Sequence, residues 1–143
     1  MMSTTHKVRI FFAFILAITL LAACSSQDST VTGDNKDAVL AYSEAMTDNL
    51  MAGLNADDYE MFSRDFDAGM IKAMNQERFD TFKNDMDVKF GPYVSREVAG
   101  VTQSGEYYAV IYETAFEKDN NVVMRVVFTM AEPHQVSGLW FNK

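Results

Sequence analysis

The sequence predicts an α+β domain in which helices come first and an antiparallel sheet follows. Two observations predict this class. Between residues 37 and 90, apolar side chains recur at steps of three and four, which is the period of an amphipathic helix. After Pro92 they recur at every second position, which is the period of a strand with one buried face. This segregation favours helices packed on one side of a curved sheet of about four strands.

The first two predicted helices rest on periodicity and on capping residues. The first runs from Asp37 and is expected to end at Gly53, because glycine suits the left-handed conformation after a helix. Asn55 then suits the N-cap of a short second helix. The apolar positions are Val39, Tyr42, Met46, Leu50 and Leu54 in the first helix, and Tyr59, Phe62 and Phe66 in the second.

Two further helical segments precede the sheet. Asp67 is placed to cap a turn that continues through Met74. The last helix is predicted from about Gln76 to Phe90, with Phe79, Phe82, Met86 and Phe90 on one face. Gly91-Pro92 ends it, because glycine takes the C-cap conformation and proline cannot continue the helix.

Two alternating rows of apolar side chains define the central strands and belong on the same face of the sheet. The rows are Tyr108, Val110, Tyr112, Thr114 and Phe116, and then Val122, Met124, Val126, Phe128 and Met130. This requirement favours a hairpin in which Phe116 faces Met124 across a loop of residues 119–121.

The remaining strands flank this hairpin. After a turn at residues 132–134, Val136, Gly138 and Trp140 are expected to continue the inner face, with Gly138 opposite Phe128. An earlier strand around residues 94–102 completes the sheet.

The N-terminus carries a secretory pattern. Lys7 and Arg9 precede an apolar run over residues 10–23, which ends in Leu21-Ala22-Ala23-Cys24. This ending resembles a bacterial lipobox, which implies a diacylglycerol thioether on Cys24, cleavage of residues 1–23, and a place in the cell envelope outside the cytoplasm. A transmembrane anchor is the weaker alternative, since spanning needs about 20 residues. Plain secretion is also weaker, because it leaves the only cysteine of the chain unexplained.

The processed chain would be strongly acidic. Without residues 1–23 it has 120 residues, with 10 Lys and Arg against 20 Asp and Glu, a net charge of −10. Nucleic acid is therefore excluded as a partner, because its phosphates need basic side chains. The polar segment 25–36 is predicted to be a flexible tether that follows the lipidated Cys24. Residues 37–143 are then a single domain.

Several stretches resemble a small domain-of-unknown-function family of secreted prokaryotic proteins. They are Asn55-Ala56-Asp57-Asp58-Tyr59, the Phe79-x-x-Phe82 helix that ends at Gly91, Gly105-x-Tyr107-Tyr108, and Val136-Ser137-Gly138-Leu139-Trp140-Phe141. The resemblance covers roughly residues 37–143 and implies the cone-shaped, nuclear transport factor 2-like fold. It transfers no catalytic residue, and the occurrence of such domains beside hydrolase domains implies an accessory role.

A cone of this type can enclose a pocket, so a small apolar ligand is one alternative function. Its candidate pocket residues are Tyr42, Phe66, Tyr112 and Trp140. An isomerase or dehydratase is a weaker alternative, with donors among the tyrosines and a carboxylate base. The candidate donors are Tyr42, Tyr59, Tyr108 and Tyr112, and the candidate bases are Glu97 and Asp65. A structural role is favoured for these tyrosines, and no catalytic residue is assigned.

No cofactor and no metal site are predicted. The carboxylates at residues 57, 58, 60, 65 and 67 do not follow a calcium-loop spacing, and helix capping explains several of them. His134 is expected to be a solvated turn residue. Most methionines fall on predicted core faces.

The outer face of the sheet is more apolar than a solvated face requires. Tyr107, Ile111, Val127 and Phe141 are the candidate partner surface. The favoured function is therefore a non-catalytic, membrane-tethered binding or accessory module. Its expected partners are the membrane, through the lipid on Cys24, and either an envelope protein or a second copy of the chain.

Overall fold

The computed structural model describes residues 28–143, so the predictions for residues 1–27, including lipidation of Cys24, lie outside the described residues. The chain is mixed α+β, with helices packed against an open antiparallel sheet. The elements are β1 (Ser29–Thr30), α1 (Gly33–Ala56), α2 (Tyr59–Ser63), α3 (Ala68–Ala73), α4 (Gln76–Lys89), β2 (Tyr93–Ser104), β3 (Tyr107–Phe116), β4 (Asp119–Thr129) and β5 (Val136–Asn142). Within residues 28–143, five strands lie in the order β1-β2-β3-β4-β5, one more than predicted.

The additional strand lies in the segment that was predicted to be a flexible tether. Ser29 pairs with Gln103, and Thr30 pairs with Thr102. Val31 then donates its backbone N–H to the carbonyl oxygen of Val101 at 2.9 Å and buries its side chain. The tether prediction is wrong from Ser29 onward, because this one apolar side chain and the edge of β2 give the segment a place to pack.

Helix α1 begins earlier and ends later than the sequence predicts. It starts at Gly33 instead of Asp37, and it continues through Gly53 to Ala56. Gly53 serves a packing role, because a Cβ atom there would lie 2.3 Å from the backbone nitrogen of Phe62 in α2. Asp57 takes the left-handed conformation at the end of the helix instead, with φ of 55°.

Of the two predicted N-caps, Asn55 is wrong and Asp67 is confirmed. Asn55 is not an N-cap; its side-chain amide bonds the backbone N–H and C=O of Tyr93, both at 2.9 Å. Asp58 caps α2, since its Oδ1 accepts from the N–H of Met61 at 3.0 Å. The predicted capping role of Asp67 is confirmed by its bond from the N–H of Met70.

Gly91 ends α4 as predicted. Its φ is 75°, and its N–H reaches the carbonyl oxygens of Met86 and Asp87 at 3.1 and 3.2 Å. The helix itself covers Gln76–Lys89, close to the predicted span.

The inner faces of β3 and β4 are as predicted, but their register differs. Tyr112, Val122, Met124, Val126 and Phe128 are all buried. However, Tyr112 lies opposite Met124 and Phe116 lies opposite Asp119, so a tight turn replaces the predicted three-residue loop.

The position of this turn has a tertiary cause. The N–H groups of Glu117 and Lys118, which form the turn, donate to the carbonyl oxygens of Pro92 and Phe90, each at 2.9 Å. The turn is thus held by the connection between α4 and β2, which sequence periodicity does not reveal.

From Gly138 onward, the inner and outer sides of strand β5 are the reverse of the prediction. Val136 lies opposite Phe128, but Gly138 lies opposite Val127 and Trp140 opposite Arg125, because the register shifts between these pairs. Gly138 is therefore not opposite Phe128. A shift of one residue exchanges the two faces of a strand, so Trp140 lies on the outer face and Phe141 on the inner one.

Backbone hydrogen bonds from the segment 65–67 hold β5 at the position of this register shift. The N–H of Val136 donates to the carbonyl oxygen of Asp65 at 2.7 Å, and the N–H of Asp67 donates to the carbonyl oxygen of Val136 at 2.9 Å. The Ser137 hydroxyl also donates to the Asp67 carboxylate. The ring that Gly138 accommodates is that of Trp140, because a Cβ atom at Gly138 would lie 2.2 Å from it.

The core lies between the helices and the inner face of the sheet. Phe62 and Phe79 on the helices have ring centroids 4.7 Å apart. Phe79, Val110, Met124 and Phe128 are 0% exposed, which means that no water-sized space adjoins them. The interior is closely packed around these side chains.

Candidate functional site

Two regions of the described residues carry functional potential, a polar cluster at the interface of α1 with the sheet and the outer face of the sheet. The polar cluster is centred on Tyr112, whose side chain is 0% exposed. Its hydroxyl donates to Oε1 of Glu44 at 2.7 Å. The hydroxyl of Thr47, one turn further along α1, lies 3.2 Å from the Tyr112 hydroxyl oxygen and donates to it, because the Tyr112 proton is already given to Glu44.

Arg96 on β2 completes this cluster. Its guanidinium bonds Oε2 of Glu44 at 3.2 Å and Oδ1 of Asp48 at 2.7 Å. It also lies 5.2 Å from the centre of the Tyr112 ring, which is within the range of a cation–π contact. The cluster therefore ties two turns of α1 to two neighbouring strands.

Electrostatics keep Tyr112 and Arg96 in fixed protonation states. Burial, followed by the hydrogen bond to Glu44, raises the pKa of the Tyr112 hydroxyl above its usual value. Burial alone would lower the pKa of Arg96, but hydrogen bonds with Tyr93 and Asp48 outweigh it and the pKa is raised. At neutral pH Tyr112 is thus neutral and Arg96 is charged.

This arrangement stabilises structure and has little capacity for acid–base chemistry. Tyr112 has no surface on which a substrate could lie, and its hydroxyl is already bonded to Glu44 and Thr47. A general acid or base has to reach the proton that it transfers. Arg96 is paired with two carboxylates, so it is not a free cation for an anionic ligand.

The four candidate pocket residues do not converge on one cavity. Tyr42 stacks on His134, with ring centroids 4.1 Å apart, and meets the edge of Phe128. Phe66 is buried against Phe62 at 5.2 Å. Tyr112 is enclosed in the polar cluster, and Trp140 lies on the opposite face of the sheet. The placement of Trp140 in an inner pocket is therefore wrong.

The candidate bases also lie apart from the candidate donors. Glu97 lies opposite Glu113 on the outer face of the sheet. Asp65 accepts a hydrogen bond from Asn49 at 2.9 Å. Tyr59, one of the four tyrosine donors, gives its hydroxyl proton to the carbonyl oxygen of Met74 at 2.9 Å.

The sequence pattern predicts no functional role for Glu44, Thr47 or Arg96. A weak signal exists for Thr47, because Ser43 and Thr47 are polar side chains on the buried face of α1, where an apolar stripe was expected. Arg96 shares the inner face with Val98, where a charge needs a partner. Neither signal shows which groups meet, because Glu44 and Tyr112 are 68 residues apart.

His134 is packed and not solvated, in contrast to its prediction. Besides its stack on Tyr42, its Nδ1 lies 3.3 Å from the carbonyl oxygen of Thr129. Within residues 28–143, no three His, Cys, Asp or Glu side chains are grouped as a metal site would require. None of the helices in this range is both long and apolar enough to cross a membrane.

The outer face of the sheet carries the second region. Tyr107, Val123 and Trp140 are 46%, 40% and 51% exposed. Ile111 and Val127 lie partly exposed on the same face, as predicted. Phe141 does not belong to it; it lies on the inner side, in a groove of about 570 Å³ between α4 and β5.

A shallow groove runs across this face. Its volume is about 410 Å³, and it is lined by Ser104, Tyr107, Arg125, Val127, Trp140 and Asn142. The guanidinium of Arg125 also contacts the carboxylate of Asp28 at 3.4 Å. The first described residue of the chain therefore reaches the outer face.

The described residues form a mixed α+β structure with a packed interior and a partly apolar outer sheet face. Comparison with protein families adds one match: residues 47–139 match the family described as "Protein of unknown function (DUF3887)". Since the match covers more than half of the chain, the protein belongs to this family. No curated protein and no solved structure matches the chain.

Proposed function

We propose that the protein is a lipid-anchored module of the cell envelope that binds through the outer face of its sheet and catalyses no reaction. In this proposal Cys24 carries the lipid, residues 1–23 are removed, and the domain has the nuclear transport factor 2-like fold. The module is accessory, since its role is to hold or support another envelope component.

The observation that carries the proposal is the exposure of Trp140, Tyr107 and Val123 on one face. Large apolar side chains that are exposed together favour an interaction surface. An isolated exposed apolar residue would mean little, but these three lie on the neighbouring strands β3, β4 and β5, and the partly exposed Ile111 and Val127 lie between Tyr107 and Val123 on the same face. Binding on this face would remove them from water.

The packed interior supports a non-catalytic role. The best placed acid–base pair is Tyr112 with Glu44, and Tyr112 is 0% exposed. A ligand pocket would need a concave space with a few convergent polar groups. The polar groups converge on one another at the α1 interface instead.

Thiol labelling tests the proposed surface. Cys24 is the only cysteine, so in a lipidated chain an introduced cysteine would be the single reactive thiol. Val123→Cys on the outer face is compared with Val88→Cys on α4, where the native side chain is 79% exposed. Maleimide labelling is measured in isolated envelopes and after detergent extraction.

If the outer face is covered, Val123→Cys should react with maleimide more slowly in envelopes than in detergent, whereas Val88→Cys should react at the same rate in both. Equal rates for Val123→Cys would mean that the outer face is free and that the proposed surface is wrong. Mass spectrometry of the mature N-terminus tests the anchor separately. An unmodified Cys24 would contradict it.

A further inference from the structure

The path of the chain at its first described residues indicates what covers the outer face. Thr30 lies opposite Thr102, and Thr102 lies opposite Ala109 on the outer side of β3. Asp28 is two residues before Thr30, so it shares this side, and its contact with Arg125 at 3.4 Å places its carboxylate over the sheet. The chain therefore joins the domain on the outer face.

Little chain separates this point from the proposed lipid. From Cys24 to Asp28 there are four residue steps, which span at most about 14 Å when extended. A domain of roughly 100 residues has a radius of gyration of about 13 Å, so the anchor cannot be far from the surface at which the chain joins it. The lipid bilayer must approach the domain on the side of Asp28.

The side chains on this face suit a lipid surface. Trp140 and Tyr107 line the groove beside Arg125, and tryptophan and tyrosine are the residues enriched at membrane interfaces. Val123 lies outside this groove, towards the other end of β4, and adds exposed apolar area to the same face. Their rings combine an apolar body with a polar group, which matches the change from acyl chain to headgroup.

The charges on the outer face favour zwitterionic over anionic lipid headgroups. Arg125 is paired with Asp28, so the groove has no free cation among the described residues that line it. Glu97 and Glu113 lie opposite each other on the same face, and the processed chain carries 10 basic against 20 acidic side chains. Anionic headgroups would be repelled, whereas zwitterionic headgroups would not.

We infer that the outer sheet face rests on the zwitterionic lipid interface of the membrane that holds the protein's own anchor. This inference rests on the proposed function, because it uses the lipid on Cys24 and names the partner of the same face. The domain would lie on the membrane with Trp140 and Tyr107 at the headgroups and with its helices facing away. A protein partner on this face is the competing outcome.

Trp140 itself reports the contact, because it is the only tryptophan of the chain. The lipidated full chain is reconstituted into phosphatidylcholine vesicles, with or without brominated acyl chains, and its emission is recorded. The inference expects a shift to shorter wavelength and quenching by the brominated lipid. The same protein without lipid, made as Cys24→Ser, is expected to show neither effect.

Two relocated reporters separate the faces. In the Trp140→Phe background, Val123→Trp on the outer face should be quenched, and Val88→Trp on α4 should not. If the protein floats with the vesicles but Trp140 and Val123→Trp are unquenched, the inference is wrong while the anchor stands. If both faces are quenched equally, the domain has no fixed orientation and the inference is also wrong.

Two further outcomes distinguish failure of the lipid anchor from failure of the inferred membrane contact. If the full chain does not float with vesicles, the anchor is absent, and both the proposed function and the inference fall. If Trp140 is shielded in native envelopes but not in phosphatidylcholine vesicles, a protein covers the face. That result would overturn the inference and leave the proposed binding surface intact.

Discussion

Two tyrosines in the interior offer the same chemical change with opposite expected effects on stability. Tyr112→Phe removes a hydroxyl that donates to Glu44 at 2.7 Å and accepts from Thr47 at 3.2 Å. Tyr42→Phe removes a buried hydroxyl that has no hydrogen-bond partner among the described residues. We expect the first variant to lower the free energy of unfolding and the second to raise it.

The expected changes in the free energy of unfolding depend on the groups that lose a hydrogen bond in each variant. A hydrogen bond to a charged group contributes about 1.5–3 kcal/mol, but the Glu44 side chain is 41% exposed, so water restores part of this. Thr47 is 0% exposed, and leaving its hydroxyl without a partner costs about 1–3 kcal/mol. For Tyr112→Phe we therefore expect a loss of about 2 kcal/mol.

Tyr42→Phe should stabilise the domain. The hydroxyl of Tyr42 has lost its bonds to water and gained none from the residues that the structure describes, so its removal is expected to raise the free energy of unfolding by about 1 kcal/mol. The two variants would then differ by about 3 kcal/mol although each loses one oxygen atom.

Urea unfolding followed by far-ultraviolet circular dichroism measures this difference. Tyr107→Phe is the matched control, because Tyr107 is 46% exposed and its variant should stay within about 0.5 kcal/mol of the parent. Adding Thr47→Val to Tyr112→Phe should recover part of the loss, since no unpaired hydroxyl then remains. If Tyr112→Phe is neutral, or if both variants shift in the same direction, the hydrogen-bond argument is refuted.

Two further predictions concern close packing and alkaline pH. Gly53→Ala would place a methyl group 2.3 Å from the backbone nitrogen of Phe62 and should lower the free energy of unfolding by about 2 kcal/mol, whereas Gly100→Ala, which meets nothing within 4 Å, should be close to neutral; equal denaturation midpoints would contradict the packing argument. Burial, followed by the neighbouring Tyr108, raises the pKa of Tyr42 to about 12, so the folded state disfavours the ionised form; the free energy of unfolding is unaffected by this group below pH 10 and falls as the pH rises towards 12. The free energy of unfolding of the parent should therefore fall more steeply over this window than that of Tyr42→Phe, and parallel curves would show that Tyr42 does not contribute.

Much of the local structure could be predicted from the sequence because its causes lie within a few residues. Asp67 caps α3, and Gly91 ends α4, because a side-chain acceptor or a left-handed glycine acts on the adjacent turn. The buried rows that include Val110 and Met124 follow from strict alternation.

The polar cluster could not be predicted in the same way. Its central bond joins Glu44 on α1 to Tyr112 on β3, and neither residue stands out from its neighbours in sequence. The outer face was identified in part, since Tyr107, Ile111 and Val127 lie on it, but Trp140 was assigned to the wrong side of β5. An error of one residue in register is enough to exchange the sides.

The sequence by itself determined the class of fold, the order of helices and strands, and the apolar inner face of the central hairpin, because periodicity and capping are local properties of a chain. Only the tertiary structure decided the turn at residues 117–118, the irregularity at Ser137 and the strand at Ser29–Thr30. Each of these depends on hydrogen bonds to backbone that is distant in sequence, such as those between Val136 and the segment 65–67. Such bonds form only after the elements have packed, and here they place Trp140 on the outer face.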